Sequence, residues 1–406
     1  MKIALLELKG SSPGYYGLLA VLALAGAVGM GAAWYMEHYG HIVTGMNNQI
    51  VWGLPHVFAV FLVVAASGAL NVASMASVFG RTEFKPLAPL SGLLAIALLI
   101  GGLTILMLDL GRPDRLIVAM TYYNFKSIFA LNIFLYSGFM GFVIVYLWTM
   151  MERGMSRFTP LAGLAAFVWR MALTTGTGSI FGFLVARQAY DSALLAPLFI
   201  ALSFSYGLAV FLLVLMLASR GSDRPLGDAL LARFARLQVI FIAAGLYFVL
   251  VYYLTNLYFT RHHDFDRFIL QSGGIYTALF WLGPVLLGGV IPMVLLLHPR
   301  IGQMRRRLAV CAALVVAGGL AQMYVTIIGG QAFPLVIFPG HQVSSSFYDG
   351  VVNHYAPSLP EWLLGLGGIA VVGLIVTLAI KVMAFLPERL DDAAIPTSKP
   401  ATPRAV

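Results

Sequence analysis

The residues best suited to proton chemistry stand at the ends of long apolar segments, and His56 is the clearest example. It closes residues 47–56, in which three amides, the indole of Trp52 and the imidazole lead into an apolar run. Histidine ordinarily titrates near neutrality and can take or give a proton, while amides and an indole can donate to carbonyl oxygens. This combination suits a quinone headgroup. A membrane interface anchored by Trp52, with a hydrogen-bonded histidine, accounts for the same residues equally well.

A second polar element, Leu-Asp-Leu-Gly-Arg-Pro-Asp-Arg at residues 108–115, ends another apolar segment. Glycine and proline stop a helix at this point, which leaves Asp109 at the membrane boundary. An acid at that depth is costly unless it is paired, so we expect an ion pair with Arg112, with Arg115 just beyond. A plain interfacial helix stop is the alternative.

Arg170 lies about ten residues into the fifth apolar segment, close to the middle of the membrane at 1.5 Å per residue. An arginine at this depth is a functional candidate by default, and Thr174, Thr175, Thr177 and Ser179 follow it on the same segment. We therefore predict that Arg170 belongs to a proton path. The alternative is a structural role in which the guanidinium binds backbone carbonyls.

The composition excludes a soluble enzyme. Sixty per cent of the residues are hydrophobic, 10% are charged, and the mean hydropathy is +0.89. Soluble domains carry roughly 25% charged residues, so this chain cannot cover a water-facing surface. The net charge of +9 does not indicate nucleic-acid binding, because the basic residues punctuate apolar segments and form no compact basic domain. We expect an all-α, polytopic membrane protein.

About ten apolar segments are each long enough to cross roughly 30 Å of hydrocarbon. They cover residues 15–36, 51–79, 87–108, 128–150, 161–184, 194–219, 239–259, 275–297, 308–328 and 362–385. Eighteen of the 25 lysines and arginines fall in the connections that share a side with both ends of the chain, and six fall in the opposite set. The positive-inside rule therefore places both termini in the cytoplasm and the histidine-rich connections outside.

We expect one transmembrane domain over residues 1–386, followed by a polar, proline-bearing and disordered cytoplasmic tail over residues 387–406. The longest connection, residues 329–359, contains an apolar stretch broken by prolines. Such a stretch predicts a segment that re-enters the membrane or docks on a partner.

The chain is not expected to hold a cofactor or a metal of its own. Cys311 is the single cysteine, whereas an iron–sulfur cluster typically needs four thiolates. His56 and His298 lie at opposite sides of the predicted bilayer and cannot share one haem. The neighbouring His262 and His263 have diverging side chains and are interpreted as solvated loop residues. If the protein works in redox chemistry, the metal centres belong to its partners.

At these motifs the chain resembles the NrfD/polysulfide reductase family of membrane subunits. The resemblance rests on Leu-Asp-Leu-Gly-Arg-Pro at residues 108–113 and on Val-Trp-Gly-Leu-Pro at residues 51–55. The ten segments and the stretch Gln-Met-Tyr-Val-Thr-Ile-Ile-Gly-Gly-Gln-Ala-Phe-Pro-Leu at residues 322–335 resemble the longer branch that includes HybB and DsrP. The resemblance implies two four-helix bundles plus two extra helices in a bacterial or archaeal cytoplasmic membrane.

The resemblance further implies exchange of electrons between menaquinone or ubiquinone, as substrate, and a periplasmic ferredoxin-like iron–sulfur subunit. A multihaem cytochrome c, further membrane and cytoplasmic redox subunits, and a role in sulfur metabolism are expected with it. The candidate residues are His56, Asp109 and Arg112 for catalysis, Asn48, His56, Tyr123, Asn124 and Arg115 for quinone binding, and Arg170 for the proton path.

Two other functions remain open. A secondary transporter would use Arg170 and the many glycines, and it predicts a polar cavity reaching both faces together with internal repeats. A purely structural membrane anchor for external redox subunits predicts that quinone has no effect on the complex.

Overall fold

The structure is a computed structural model that describes residues 4–8, 12–222, 224–298, 304–335 and 350–392. Within these residues the chain is almost entirely helical. The main helices are α1 (Pro13–Tyr39), α2 (Leu54–Ser77), α3 (Thr82–Leu108), α4 (Leu116–Thr121), α5 (Ile128–Met151), α6 (Thr159–Gly182), α7 (Leu195–Gly221), α8 (Asp228–Tyr258), α9 (His263–Arg267), α10 (Ile275–Leu297), α11 (Met304–Ala332) and α12 (Leu359–Val382).

Nine of the helices in the described part of the chain are long and apolar enough to cross a membrane. The remaining predicted segment, residues 161–184, corresponds to α6, which has 24 residues and therefore also has the length to cross. Its lower hydropathy follows from Arg170 and the threonines and glycines around it. The prediction of an all-α, polytopic membrane protein is confirmed.

The long helices form two four-helix bundles. Helices α2, α3, α5 and α6 pack together as the first bundle, and α7, α8, α10 and α11 pack as the second. The bundles meet where α2 and α6 contact α7 and where α2 contacts α11. Helix α1 packs along α12, and α12 lies against α2 and α3. The arrangement matches the expected two bundles with two extra helices.

Local sequence signals mark the starts of α2, α5 and α12. Pro55 stands in the first turn of α2, where its missing N–H costs nothing. The Ser127 side chain accepts a hydrogen bond from the Ala130 N–H at the start of α5, and Glu361 accepts from the Ser358 N–H at the start of α12. At α5 and α12 a side chain thus satisfies a backbone donor that would otherwise be unpaired, and at α2 the proline leaves one donor fewer to satisfy.

The two bundles touch through glycine backbone. A Cβ added to Gly207 would lie 2.1 Å from the carbonyl carbon of Gly68, and one added to Gly68 would lie 1.6 Å from the carbonyl oxygen of Ser203. No side chain fits at either position unless α2 and α7 move apart. Close backbone approach of this kind replaces the hydrophobic driving force that helices lack inside lipid.

Both ends of the described chain meet at one end of the bundles. Strand β1 (Leu5–Leu6) pairs antiparallel with β2 (Leu386–Pro387). The Arg224 guanidinium, in the connection between α7 and α8, donates to the carbonyl oxygens of Leu386 and Pro387, each at 3.1 Å. The two termini therefore share one side, as an even number of crossings requires; that this side is cytoplasmic stays a prediction from charge.

The ordered chain continues beyond the predicted domain boundary at residue 386. Pro387 lies in β2, Leu390 is buried and forms a bridge with Leu226, and the Asp392 carboxylate accepts from the Ala229 N–H at 3.0 Å. Leu390 supplies an apolar contact within a stretch that is otherwise polar, which explains the difference. The tail from residue 393 onward lies outside the described residues.

Replacing Gly207 with alanine should separate α2 from α7. The added methyl meets backbone, which cannot rotate away, and overpacking typically costs about 1–3 kcal/mol. We expect a lower thermal midpoint for the detergent-solubilised protein in a fluorimetric unfolding scan. Gly141→Ala on α5 is the matched control, because nothing lies within 4 Å of its added Cβ. Equal thermal midpoints for Gly207→Ala and Gly141→Ala would contradict the close backbone contact between α2 and α7.

Candidate functional site

His56 and Asp109 form a pair at the outer end of the first bundle, the end opposite the two termini. His56 is the third residue of α2, and Asp109 follows the last residue of α3. The His56 Nδ1 atom lies 2.8 Å from Asp109 Oδ2, and the Asp109 side chain has no exposed surface. An ionised carboxylate only accepts hydrogen bonds, so Nδ1–H donates to it and Nε2 remains available. The carboxylate thereby fixes the tautomer and the orientation of the imidazole.

The partner of Asp109 differs from the prediction. Arg112 is exposed, and among the described residues the Asp109 carboxylate is bonded to His56. The reason is the turn at Gly111, whose positive φ of 68° sends the chain away from the carboxylate. Gly111 packs instead on the ring of His41, which lies 3.0 Å from the position that a Cβ would take.

A cavity of about 510 Å³ opens beside His56. Its volume falls in the range of small-molecule sites, and its wall is mostly aliphatic and aromatic. The lining residues come from α2 to α6 and from one residue of α11: Trp52, His56, Val60, Val63, Leu103, Leu106, Met107, Leu110, Leu116, Met120, Phe129, Asn132, Ile133, Tyr136, Ser137, Thr177, Ile180, Phe181 and Ile327. The cavity therefore occupies the outer half of the first bundle.

Three polar side chains of α5 in the cavity wall, those of Asn132, Tyr136 and Ser137, were not predicted from the sequence, and Thr177 was considered there only beside Arg170. Asn132 and Tyr136 lie one helical turn apart on α5, and Thr177 lies on α6. The Asn132 amide donates to the carbonyl oxygens of Ile128 and Gly176, which leaves its Oδ1 atom without a partner among the described residues. The Tyr136 hydroxyl bonds to Thr177. An acceptor and a hydroxyl thus share the cavity with His56.

Trp52 forms an aromatic wall next to His56. The two rings stack with centroids 6.0 Å apart and an interplanar angle of 21°. Phe181 meets the indole edge-on at 5.8 Å, and Phe129 meets it at the same separation with a tilt of 54°. A flat conjugated ligand would find an aromatic surface and an imidazole on the same side of the cavity.

Gln331 holds Trp52 in place from the second bundle. Its Oε1 atom accepts from the backbone N–H groups of Val51 and Trp52 at 2.9 and 3.0 Å. Its Nε2 atom donates to the Trp52 carbonyl oxygen at 3.0 Å and to that of Ile327 at 2.9 Å. The Gln331 side chain is buried, and the extended chain before α2 has no helix of its own to satisfy these groups.

A second layer supports this contact. Arg187 donates to the carbonyl oxygens of Gln331 and Gln49 at 3.1 and 2.8 Å. The Gln49 amide donates to the carbonyl oxygens of Gln331 and Phe333, and Asn353 donates to Gln49 Oε1 at 2.7 Å. Residues 329–332 therefore end α11, whereas the sequence predicts that they begin a loop. Residues 336–349 of the predicted re-entrant segment lie outside the described residues.

The remaining predicted quinone-binding residues do not line the cavity. Asn48, Arg115 and Asn124 are exposed, and the Asn124 side chain accepts from the Lys126 N–H. Tyr123 is partly buried between Phe125 and Phe134, with edge-to-face ring contacts at 4.7 and 4.8 Å. The prediction of these residues rests on their depth in the membrane, and depth alone does not tell which side of a helix faces a cavity.

Arg170 is buried away from the cavity. Its Nη1 atom donates to the Ser67 carbonyl oxygen at 3.1 Å, and its guanidinium lies 4.9 and 5.1 Å from the ring centroids of Phe167 and Phe204. Thr174 donates to the Ser67 hydroxyl at 2.6 Å. The Nε atom of Arg170 has no partner among the described residues. These contacts join α6 to α2 and α7, which is the structural alternative left open above; the proton path stays a prediction.

Comparison with known proteins places this geometry in a family. The family model described as polysulphide reductase, NrfD, matches residues 42–335. The chain belongs to this family. The matched region contains both four-helix bundles and leaves out α1 and α12, in agreement with their place outside the bundles. The assignment to the HybB/DsrP branch stays a prediction.

Curated relatives match most of the chain. It is 31% identical over 403 residues to the Hdr-like menaquinol oxidoreductase integral membrane subunit of Archaeoglobus fulgidus, and the match covers 97% of this chain and 100% of the relative. It is 29% identical to a putative dimethyl sulfoxide reductase membrane subunit of Halobacterium salinarum, with 94% of each covered. A polysulfide reductase chain of Wolinella succinogenes is 28% identical, with 70% of this chain and 96% of the relative covered.

The contact between Gln331 and Trp52 is open to a direct test. Replacing Gln331 with leucine leaves two N–H groups and one carbonyl group of residues 51–52 without partners, and each buried unpaired group costs about 1–3 kcal/mol. We expect faster hydrogen–deuterium exchange in peptides covering residues 49–54. The exposed Gln271→Leu is the control and should leave their exchange unchanged. Unchanged exchange in Gln331→Leu would show that the contact is absent.

Proposed function

We propose that this chain is the quinone-exchanging membrane subunit of a multi-subunit redox complex, with its quinone site in the 510 Å³ cavity of the first bundle. The observation that carries the proposal is the His56–Asp109 pair in the wall of an otherwise apolar cavity. Apolar walls suit a ring and the first part of an isoprenoid tail, and the polar groups suit the headgroup oxygens. The Archaeoglobus relative is named as a menaquinol oxidoreductase subunit, which supports menaquinol as the substrate class.

In the quinol-oxidising direction, a quinol loses two electrons and two protons. His56 Nε2 takes one proton from a quinol hydroxyl, and the Asp109 carboxylate stabilises the imidazolium that forms. Asn132 Oδ1, which has no partner among the described residues, accepts a hydrogen bond from the other hydroxyl. The second proton passes to water at the outer end, and both electrons pass to the iron–sulfur partner. The Tyr136 hydroxyl, which is bonded to Thr177, can still accept through its oxygen from the same quinol hydroxyl as Asn132. When the headgroup is a quinone, the protonated His56 donates to one of its carbonyl oxygens, so His56 serves both directions of the reaction.

The electron partner is assigned to the outer end, where the site lies. The membrane-subunit name of the Halobacterium relative and the polysulfide reductase name of the Wolinella relative support assembly with other redox subunits. We propose a periplasmic ferredoxin-like iron–sulfur subunit as the direct partner, with a multihaem cytochrome c in the same complex and sulfur metabolism as its context. Arg112 and Arg115, exposed beyond the cavity, are assigned to the partner-facing surface.

His56→Phe should abolish quinol-dependent reduction of the iron–sulfur partner in the purified complex. Loss of a positioned general base removes roughly 100- to 10,000-fold in rate, and the variant retains a ring of similar size. Asp109→Asn should lower the same rate, because a neutral amide in place of the carboxylate stabilises the His56 imidazolium less well. Complex yield on size exclusion checks assembly.

The exposed His38→Phe, at the outer end of α1, is the matched control and should keep its activity. Full quinol-dependent turnover in both site variants would overturn the site. A complex in which quinol reduces nothing, even with the native chain, would instead favour the structural anchor.

Tyr136→Phe should raise the KM for quinol more than it lowers kcat. The substitution removes one hydroxyl from the cavity wall, and a single hydrogen bond contributes about 0.5–1.5 kcal/mol, which corresponds to roughly a two- to tenfold change. Steady-state turnover over a range of quinol concentrations measures it. Tyr122→Phe, whose ring is 86% exposed, is the control. An unchanged KM in Tyr136→Phe would remove this residue from the site.

A further inference from the structure

The second bundle contains a separate line of polar residues that the quinone site does not use. It begins at the outer end with Asp191 and His262, whose Oδ2 and Nε2 atoms lie 4.0 Å apart. His262 Nδ1 contacts Asn256 Oδ1 at 3.3 Å, and Asn256 Nδ2 donates to Asp266 Oδ1 at 3.2 Å. Asp191 is partly exposed, whereas Asp266 has no exposed surface. The line therefore connects water outside to a buried carboxyl group.

Asp266 is an unusual acid because only one of its two carboxyl oxygens has a hydrogen-bond partner among the described residues. Its Oδ2 atom is buried without a partner among the described residues. Burial raises the pKa of Asp266 to about 7, against a smaller lowering by Asn256 and His263. Tyr252 and Tyr253 are the other titratable side chains that interact with it. A carboxyl group in this setting changes its protonation near neutral pH.

Two small cavities continue the line into the membrane. The first, here called the outer cavity, has a volume of about 20 Å³ and includes Tyr252, Tyr253, Gln322 and Thr326 in its wall. The Asn256 side chain links Asp266 to the Tyr252 hydroxyl and so to this cavity. The second, the middle cavity, has the same volume of about 20 Å³ and includes Ser205, Tyr206 and Gln322. Gln322 stands in both walls.

Both cavities have the size and the polar groups that bound water requires. A space of about 10–15 Å³ holds one water molecule if two to four polar partners surround it. Gln322 Nε2 donates to Thr326, but its Oε1 atom is buried without a partner in the described part of the chain. Beyond the middle cavity, Ser205 binds Gln238 Nε2 at 3.0 Å, and Gln238 Oε1 is likewise unpaired there. Buried amide oxygens next to polar voids are explained by ordered water.

The surrounding helices depart from α-helical geometry. Residues Trp281–Val290 of α10 and Val325–Gly329 of α11 are π-helical, and such segments frequently occur at functional sites. Thr326 faces the outer cavity, while its neighbour Ile327 lines the quinone cavity. This short stretch of α11 is the partition between the two spaces.

We propose that the second bundle binds a file of water molecules in the outer and middle cavities, and that Asp266 exchanges protons between this water and the outer aqueous phase. The ligand class is water and its protons. The route reaches from the outer end to Gln238, about ten residues into α8, and it runs beside the quinone cavity, not through it. Nothing in this proposal depends on the assignment of the quinone site.

Synchrotron hydroxyl-radical footprinting of the full chain in nanodiscs tests for the water. Radicals form from bound water and label side chains next to it, so we expect labelling of Tyr252 and Tyr253 although both are buried. Gln322→Leu should remove most of that labelling. Tyr146, which is buried in the first bundle and bonded to Ser77 and the Ala73 carbonyl, is the internal control and should stay unlabelled. If Tyr252 and Tyr253 react no more than Tyr146, the cavities are dry and the proposal fails.

Infrared titration tests Asp266. One component of the protonated-carboxyl band should disappear as the pH rises through about 7, above the range in which ordinary carboxyl groups titrate, and this component should be missing in Asp266→Asn. Asp264→Asn, an exposed acid on the same short helix, should leave the band unchanged. In Gln322→Leu the band should remain, which separates loss of water from misfolding. A band that is unaffected by Asp266→Asn would overturn the assignment of the proton-exchanging group.

Discussion

A carboxylate with no exposed surface must be paired, and the outer end of the first bundle is organised around this requirement at Asp109. Leaving a buried charge without its partner costs about 3–5 kcal/mol. The first turn of α2 and the last turn of α3 must therefore lie side by side, so that His56 reaches the Asp109 carboxylate. Pro55 stands in the first turn of α2, directly before His56, and Gly111 turns the chain away two residues after Asp109. The same pair that stabilises the helix ends also fixes which imidazole nitrogen faces the cavity.

The second bundle contributes to the site without entering it. The segment before α2 is extended, and its N–H and carbonyl groups at residues 51–52 find their partners on Gln331, about 280 residues away in sequence. Arg187 joins the two segments, because its guanidinium donates to the carbonyl oxygens of Gln331 and Gln49. The position of Trp52 over His56 therefore depends on α11. This dependence gives a physical reason why the family match spans both bundles although the cavity lies in one.

The long helices were predictable from sequence because they depend on composition along the chain, whereas their grouping into two bundles was implied by the family resemblance. Segment lengths and the asymmetry of lysine and arginine are local properties, and they predicted the long helices and the shared side of the termini. The pairing of Asp109 was not predictable in the same way: Arg112 is three residues away, and His56 is 53 residues away. Asn132 and Tyr136 look like ordinary polar residues in an apolar helix until the facing helices are known. The position of Gln331 in an apolar stretch before a proline indicated an unusual residue, but its hydrogen-bond partners could not be predicted.

The polar groups of the first bundle change in kind with depth. At the outer end, the Oδ1 atoms of Asp109 and Asn132 have no partner among the described residues; Asn132 lines the cavity, and Asp109 contacts His56, which also lines it. Further in, hydroxyls bond to backbone: Ser91 donates to the Ala69 carbonyl oxygen, and the Tyr146 hydroxyl donates to that of Ala73. Not every inner group is paired, because the buried Arg170 Nε and Asn71 Nδ2 atoms have no partner in the described part of the chain. The cavity and its polar groups lie at the outer end, so the proton exchange proposed at His56 is assigned to that side, whereas Arg170 contacts α2 and α7 and does not line the cavity.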